Sequence, residues 1–257
     1  MRFGCHSVLF REKIKTNTEE IISGFAKAGC DGTEMGARFF NASEKSILMP
    51  VLQRHNIQLA GMHVGVGFGE WLNKTDEVIE NTIMPIARFL GDLPNKNIIM
   101  SGGNKSGETD IAGVAKAMEK GAKRCAELGV TIHYHNHAPE FENNAAVFNA
   151  LAGNSELLRF GVDLGWAYSA GTDITDLLKT RKDRINYVHL RDAKSKGSND
   201  FCNLGEGIVD YRELLSVLSD VLGDYGWAVV EYEEGEVDMN RYINAMQFLR
   251  GFGYKSP

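Results

Sequence analysis

The sequence predicts an α/β fold, a single (β/α)8 TIM barrel that spans residues 1–257. Short apolar runs rich in β-branched residues alternate with amphipathic stretches along the chain, which indicates a parallel sheet covered by helices. Eight such pairs average about 32 residues each, and this length matches a closed barrel better than an open doubly wound sheet. No Ser/Gly/Pro-rich linker divides the chain, so we expect one domain.

Each predicted strand is a short run of apolar and β-branched residues. The first is MRFGCHSVLF, the second is the brief run GTEM, and the third and fourth are QLAGMHV and NIIM. The fifth and sixth are VTIHYHNH and LRFGVD, and the last two are INYVHLR and WAVVEY. In chain order the predicted strands are residues 1–10, 32–35, 58–64, 97–100, 130–137, 158–163, 185–191 and 227–232.

A stretch with helical spacing of its apolar residues follows every predicted strand. The first, TEEIISGFAKAG, ends on a glycine, which is a usual stop signal, and the fourth, IAGVAKAMEKGAKRCAEL, has the clearest helical pattern of the chain. In order the predicted helices are residues 18–29, 43–55, 75–90, 111–128, 145–152, 173–179, 211–222 and 240–248.

The composition excludes several classes of protein. Apolar residues make up 43% and charged residues 24%, which is typical of a globular chain and excludes disorder as the main state. A net charge of −6 argues against a nucleic-acid partner. No apolar run is long enough for a signal peptide or a membrane span. Four scattered cysteines without a CxxC pair indicate buried thiols in a reducing compartment, so we expect a cytoplasmic protein.

Polar side chains stand at the carboxyl ends of the predicted strands. In chain order they are Glu34, His63, His135, His137 with Glu140 just beyond, Asp163, His189, Arg191, Asp192 and Glu231. Closure of a barrel would direct them toward one pocket, although any single one of them could be a satisfied structural group. Burying so many carboxylates together is costly unless they are neutralised, and a divalent cation bound by carboxylate oxygen and imidazole nitrogen does this.

The run TIHYHNH in the fifth strand places three histidines on one face, because strand side chains alternate. In a barrel that face points inward. We expect His133 to be deep and structural. His135 and His137 lie nearer the mouth and are candidates for ligand, acid/base or substrate contact.

Five segments resemble the xylose isomerase-like TIM barrels, also called sugar phosphate isomerase/epimerase-like, and in particular a YHNH-type subgroup. The segments are YHNHAPEFE, GVDLGWAYSAGTD, RINYVHLRDAK, GEGIVDY and VVEYE. The resemblance covers nearly the whole chain and implies one divalent metal ion, with Mn²⁺ as the first candidate and Co²⁺, Zn²⁺ or Mg²⁺ as alternatives. It implies Asp163, His189 and Glu231 as ligands, with Glu140 as the fourth and His135 as its alternative.

The same family contains DNA-repair endonucleases with three zinc ions, and the sequence argues against that activity. In their pattern a histidine stands three positions after the sixth-strand aspartate, where this chain has Trp166. The fourth strand ends on Ser101 rather than a histidine, and no Asp-x-His follows the seventh strand. A trinuclear site would therefore lack ligands.

The predicted function is that of a divalent-metal-dependent isomerase or epimerase acting on a sugar, keto-sugar or related polyol through a metal-stabilised enediolate. Glu140 and Glu231 are expected to transfer protons as well as hold the metal, and His137 is the best independent acid/base. Expected substrate contacts come from Glu34, His63, His135, Arg191 and Trp166, the last as an apolar wall.

Two alternatives stay open from the sequence. The same chemistry supports a dehydratase or lyase acting on a keto-sugar or keto-inositol, and a degenerate barrel could bind sugar without converting it. The expected partner is a small carbohydrate, without nucleic acid or membrane, and a homo-oligomer is possible.

Overall fold

Eight parallel strands close into a barrel in the computed structural model of the chain, which describes residues 1–103 and 109–254. The strands are β1 Arg2–His6, β2 Gly32–Gly36, β3 Gln58–Gly65, β4 Asn97–Ser101, β5 Thr131–Tyr134, β6 Arg159–Asp163, β7 Ile185–Leu190 and β8 Trp227–Val230. Because β1 pairs with both β2 and β8, the sheet has no free edge, and the predicted (β/α)8 fold is confirmed.

Helices separate the strands as predicted, although several are divided into shorter pieces. The α-helices are Lys13–Thr16, Thr18–Ala28, Lys45–Arg54, Phe68–Asn73, Thr75–Val78, Met84–Leu90, Ile111–Ala126, Glu142–Gly153, Leu164–Ser169, Ile174–Thr180, Tyr211–Leu222 and Met239–Arg250. Short 3₁₀ turns occur at Ser7–Phe10, Ala138–Phe141 and Lys182–Arg184, and Ile79–Ile83 forms one π-helical turn. This π turn interrupts the helix predicted over residues 75–90, where Pro85 supplies no amide hydrogen to the helical ladder.

Four strands end earlier than predicted, the seventh and eighth by one and two residues, and the first and fifth by more. The first strand stops at His6, because the Nδ1 atom of His6 accepts the amide N–H of Val8 at 2.8 Å and starts the 3₁₀ turn. The fifth stops at Tyr134, and the side chain of Asn136 then exchanges two hydrogen bonds with the backbone of Asp163 (3.0 and 3.1 Å). Residues 6 and 135 therefore lie at the barrel mouth.

A two-stranded antiparallel ribbon, Asp192–Ala193 with Phe201–Cys202, follows β7. The carboxylate of Asp192 accepts the amide N–H groups of Gly205, Gly207 and Val209 at 3.0–3.2 Å and so anchors the segment beyond the ribbon. A Cβ atom at Gly207 would lie 2.1 Å from an oxygen of Asp192, so only glycine fits there.

The amino-terminal end of the barrel is filled by apolar side chains. The cluster inside the barrel comprises Ala60, Ile99, Tyr187, Trp227 and Val229. With this end packed, the polar side chains at the opposite end of the strands face a common space. Within the described residues, no helix has the length and apolar character needed to cross a membrane.

Candidate active site

Four of the predicted site residues come together at the ends of β5 to β8. They are His135, Asp163, His189 and Glu231, and one potential ligand atom from each lies within 4.8 Å of all the others. All four side chains are at most 2% exposed. Two imidazole nitrogens and two carboxylate oxygens form a donor set that suits a divalent transition-metal ion.

An unpartnered atom shows that this group fits a metal ion. The Nδ1 atom of His135 is buried and has no hydrogen-bond partner. Burial, and next the proximity of His189, lowers the pKa of His135 well below its ordinary value, so its imidazole is neutral and keeps a lone pair. A cation here would also offset the cost of burying the two carboxylates together.

His189 lies between two carboxylates. Its Nε2 atom is 2.7 Å from Oε2 of Glu34, and its Nδ1 atom is 2.6 Å from Oε2 of Glu231. Burial alone would lower the pKa of His189, but these two carboxylates raise it well above its ordinary value. The metal-free ring is therefore in its imidazolium form, and its Nδ1 atom would become available to a divalent ion only on releasing its proton, while Nε2–H would still donate to Glu34.

Glu34 accepts hydrogen from four side chains and is completely buried. Its Oε1 atom faces the rings of His6 and His63 at 3.0 and 2.7 Å, and its Oε2 atom accepts the hydroxyl of Tyr187 and the ring N–H of His189, both at 2.7 Å. Burial would raise the pKa of Glu34, but His189 and then His6 hold it well below its ordinary value. Glu34 is thus an ionised residue that positions its neighbours.

These contacts constrain the proton positions on the neighbouring rings. Because Nδ1 of His6 accepts the amide of Val8, its Nε2 atom carries hydrogen and donates to Glu34. Nδ1 of His63 lies 2.7 Å from Oε1 of Glu34 and 3.1 Å from Nε2 of His6, and in the tautomer with hydrogen on Nδ1 its Nε2 atom accepts the hydroxyl of Ser101 at 2.9 Å. A hydroxyl, an imidazole and a carboxylate therefore form a chain in which the imidazole is oriented as a base.

Arg191 is also ion-paired within the site. Its Nε atom donates to Asp163 at 2.7 Å, and its Nη2 atom lies 3.1 Å from Glu231 and 3.0 Å from Glu233. Burial alone would lower the pKa of Arg191, but these carboxylates, Asp163 first, raise it above its ordinary value. Burial raises the pKa of Asp163, and Arg191 opposes that effect. In the metal-free protein Arg191 thus supplies part of the positive charge that the carboxylates require.

Glu140 lies outside the group of four potential ligands. Its Oε1 atom accepts the hydroxyl of Tyr134 at 2.6 Å, and its Oε2 atom accepts the amide of His137 at 3.0 Å, which caps the turn Ala138–Phe141. The structure therefore groups the alternative fourth ligand, His135, with the other three. The ring of His137 packs against His135 and Trp166, with centroids 5.2 and 5.7 Å away.

His6 and Ser101 belong to the site but are absent from the residues that the sequence analysis selected. His6 could have been found as a further strand-end histidine if the first strand had been ended before the run SVLF. Ser101 was noted at the end of the fourth strand, but nothing in the sequence pairs it with His63. That pairing depends on the register of β3 with β4, in which Gly65 lies opposite Ser101.

Known proteins resemble this chain over nearly its whole length. The model of the family described as xylose isomerase-like TIM barrel matches residues 25–252 of this chain. Inosose dehydratase from Geobacillus kaustophilus (strain HTA426) is 26% identical over 263 residues, covering 88% of this chain and 83% of the relative.

Two solved structures share the fold. A sugar phosphate isomerase/epimerase from Parabacteroides distasonis ATCC 8503 has a TM-score of 0.80 at 14% identity and covers 98% of this chain and 95% of its own. D-allulose 3-epimerase from Methylomonas sp. has a TM-score of 0.78 at 16% identity, with 98% of both chains covered. The family model matches most of the chain, and the sheet closes into a barrel. This protein therefore belongs to the xylose isomerase-like TIM-barrel family.

Proposed function

We propose that this protein is a divalent-metal-dependent isomerase or epimerase that acts on a sugar, keto-sugar or related polyol through an enediolate. The observation that carries the proposal is the buried group of His135, Asp163, His189 and Glu231, whose four donor atoms lie within 4.8 Å of one another. When bound there, a divalent ion, with Mn²⁺ as the first candidate, would stabilise the negative charge that develops on the substrate oxygen.

The protein's own groups would move the protons. We assign His63 as the base, acting in the tautomer whose Nδ1–H donates to Glu34 and whose Nε2 atom accepts at the pocket wall beside Ser101. We assign to Glu231, which lines the same cavity as His63, the second proton exchange. We retain His137 as a second acid/base, and we assign to Glu140 the role of positioning His137 through its amide.

Dehydration of a keto-inositol or keto-sugar is the second candidate. Inosose dehydratases from several bacteria, all 24–26% identical to this chain along most of their length, favour it. The first step would be the same removal of a proton next to the carbonyl. The two candidates differ in the next step, since the enediolate is either reprotonated or loses a neighbouring hydroxyl group as water.

The test has two stages. Metal content of the wild type, Asp163→Ala and a control, Asp183→Ala at an exposed position, is measured by mass spectrometry after loading with Mn²⁺. About one equivalent that is lost only in Asp163→Ala supports the site, whereas no metal in the wild type contradicts the proposal.

The loaded wild type is then incubated with keto-sugars and an inosose in D₂O and followed by NMR. Deuterium at the carbon next to the carbonyl, with all hydroxyls retained, indicates isomerisation or epimerisation. Loss of water with a new unsaturated ketone indicates the dehydratase. Binding without exchange would overturn both and leave a sugar-binding barrel.

A further inference from the structure

Two cavities open on the carboxylates at the end of β8. The first, which we call the histidine cavity, has a volume of about 420 Å³ and is lined by His6, His63 and Ser101 among others. The second, which we call the aromatic cavity, has a volume of about 390 Å³ and includes Trp166 and Phe201 in its lining. Glu231 and Glu233 belong to the walls of both, so the two cavities meet at these carboxylates.

The two cavities are lined from opposite sides of the barrel. The residues of the histidine cavity come mainly from the ends of β1 to β4, where the Glu34–His63–Ser101 chain is placed to exchange protons. The aromatic cavity is lined by residues that follow β6, β7 and β8 and by the ribbon. The reacting part of a substrate therefore belongs in the histidine cavity, in contact with Glu231.

The aromatic cavity has the features of a sugar-ring site. The rings of Trp166 and Phe201 pack edge to face, with centroids 4.7 Å apart and planes at 88°, and the guanidinium of Arg191 lies over both at 5.4 and 5.2 Å. Such a rigid wall suits the apolar face of a sugar ring.

The volumes of the two cavities distinguish a substrate with one ring from a substrate with two. Ligand cavities commonly measure roughly 300–1,000 Å³, and each of these two cavities reaches the lower end of that range by itself. A single six-membered ring that reacts in the histidine cavity would leave the wall of Trp166 and Phe201 without contact. A substrate with a second ring would cover it and would pass over Glu231 and Glu233.

We propose that the substrate is a two-ring saccharide or glycoside, whose keto ring reacts in the histidine cavity while the second ring stacks on Trp166 and Phe201. This inference rests on the proposed function for the choice of the reacting ring. It makes Phe201 a specificity-determining residue on a ribbon whose following segment is held by Asp192.

The test is binding of matched probes to the Mn²⁺-loaded protein by isothermal titration calorimetry. The probes are D-fructose with isomaltulose, and D-glucose with cellobiose and with maltose. The wild type should bind at least one disaccharide about tenfold more tightly than the monosaccharide it contains. Phe201→Ala should lose that preference without a change in monosaccharide affinity, whereas Tyr225→Ala, at an exposed aromatic residue remote from both cavities, should keep it.

Two controls distinguish loss of the aromatic surface from loss of the fold. They are the variant Phe201→Leu, which keeps an apolar side chain without a ring, and thermal melting of every variant. Equal affinity for both members of every pair, no disaccharide binding at all, or an equal loss for both members in Phe201→Ala would overturn the inference. A disaccharide preference in a protein that exchanges no deuterium would sustain the two-ring site while the proposed function fails. Turnover together with equal affinity for a monosaccharide and its disaccharide would support the proposed function and overturn the two-ring site.

Discussion

Replacing Glu34 by glutamine should strongly destabilise the metal-free protein. The carboxylate accepts from His6, His63, Tyr187 and His189, so an amide would turn one acceptor oxygen into a donor that faces donors. It would also remove one partner of the buried ion pair with His189, a change that typically costs about 3–5 kcal/mol. At about 2–4 °C per kcal/mol for a chain of this size, Tm should fall by roughly 10 °C.

The assay is urea and thermal unfolding of the metal-free protein, followed by circular dichroism. Glu77→Gln is the matched control, because that side chain is 61% exposed and should change stability by less than about 0.5 kcal/mol. The pKa of Glu34 is depressed below its ordinary 4.5, so its contribution is present above that pH and lost as the pH falls toward the folded pKa. A deficit below about 1 kcal/mol at pH 7 would refute the four-donor network.

Three further changes can be measured. Because the pKa of His189 is raised and its Nδ1 proton must leave for metal to bind, Mn²⁺ affinity measured by calorimetry should rise with pH above 6.5, by about tenfold per unit while the ring stays protonated, and a flat profile would contradict this. Burial lowers the pKa of His133 to about 3, so this group makes stability fall by about 1.4 kcal/mol per pH unit below pH 6.5, in addition to the contribution of His135, whose pKa is also lowered. His133→Gln should reduce the slope of that acid limb in urea unfolding by about this amount, and an unchanged slope would count against it. Asp192→Asn should speed hydrogen exchange at Gly205 and Gly207 while the barrel strands stay protected, since the amide keeps only one acceptor oxygen.

The barrel was predictable because the periodicity of the apolar residues and the length of each strand–helix unit are typical of this fold. Once the strands were assigned, the polar residues at their carboxyl ends predicted the position of the site. Asp163, His189 and Glu231 were found in this way and do lie together. The exact residues at which the strands end were harder to predict. The run SVLF after His6 is as apolar as a strand, and only the cap formed by the His6 ring on Val8 shows that it turns.

Partnerships between side chains could not be predicted, since they depend on register and on rotamers. The spacing of YHNHAPE does not tell whether Glu140 reaches a metal or caps its own turn; in the structure it contacts Tyr134 and the amide of His137. The contact of Ser101 with His63 likewise follows from how β3 and β4 align.

The position of Glu34 also bears on the order in which the protein assembles. Its donors belong to β1, β3 and β7, and β7 lies across the barrel from β2 rather than beside it. The orientation of His189 therefore depends on a contact that exists only after the sheet has closed. For the proposed metal site, we therefore expect loading to follow closure of the sheet. We expect apoprotein produced in metal-poor medium to be folded and ready to take up its ion afterwards.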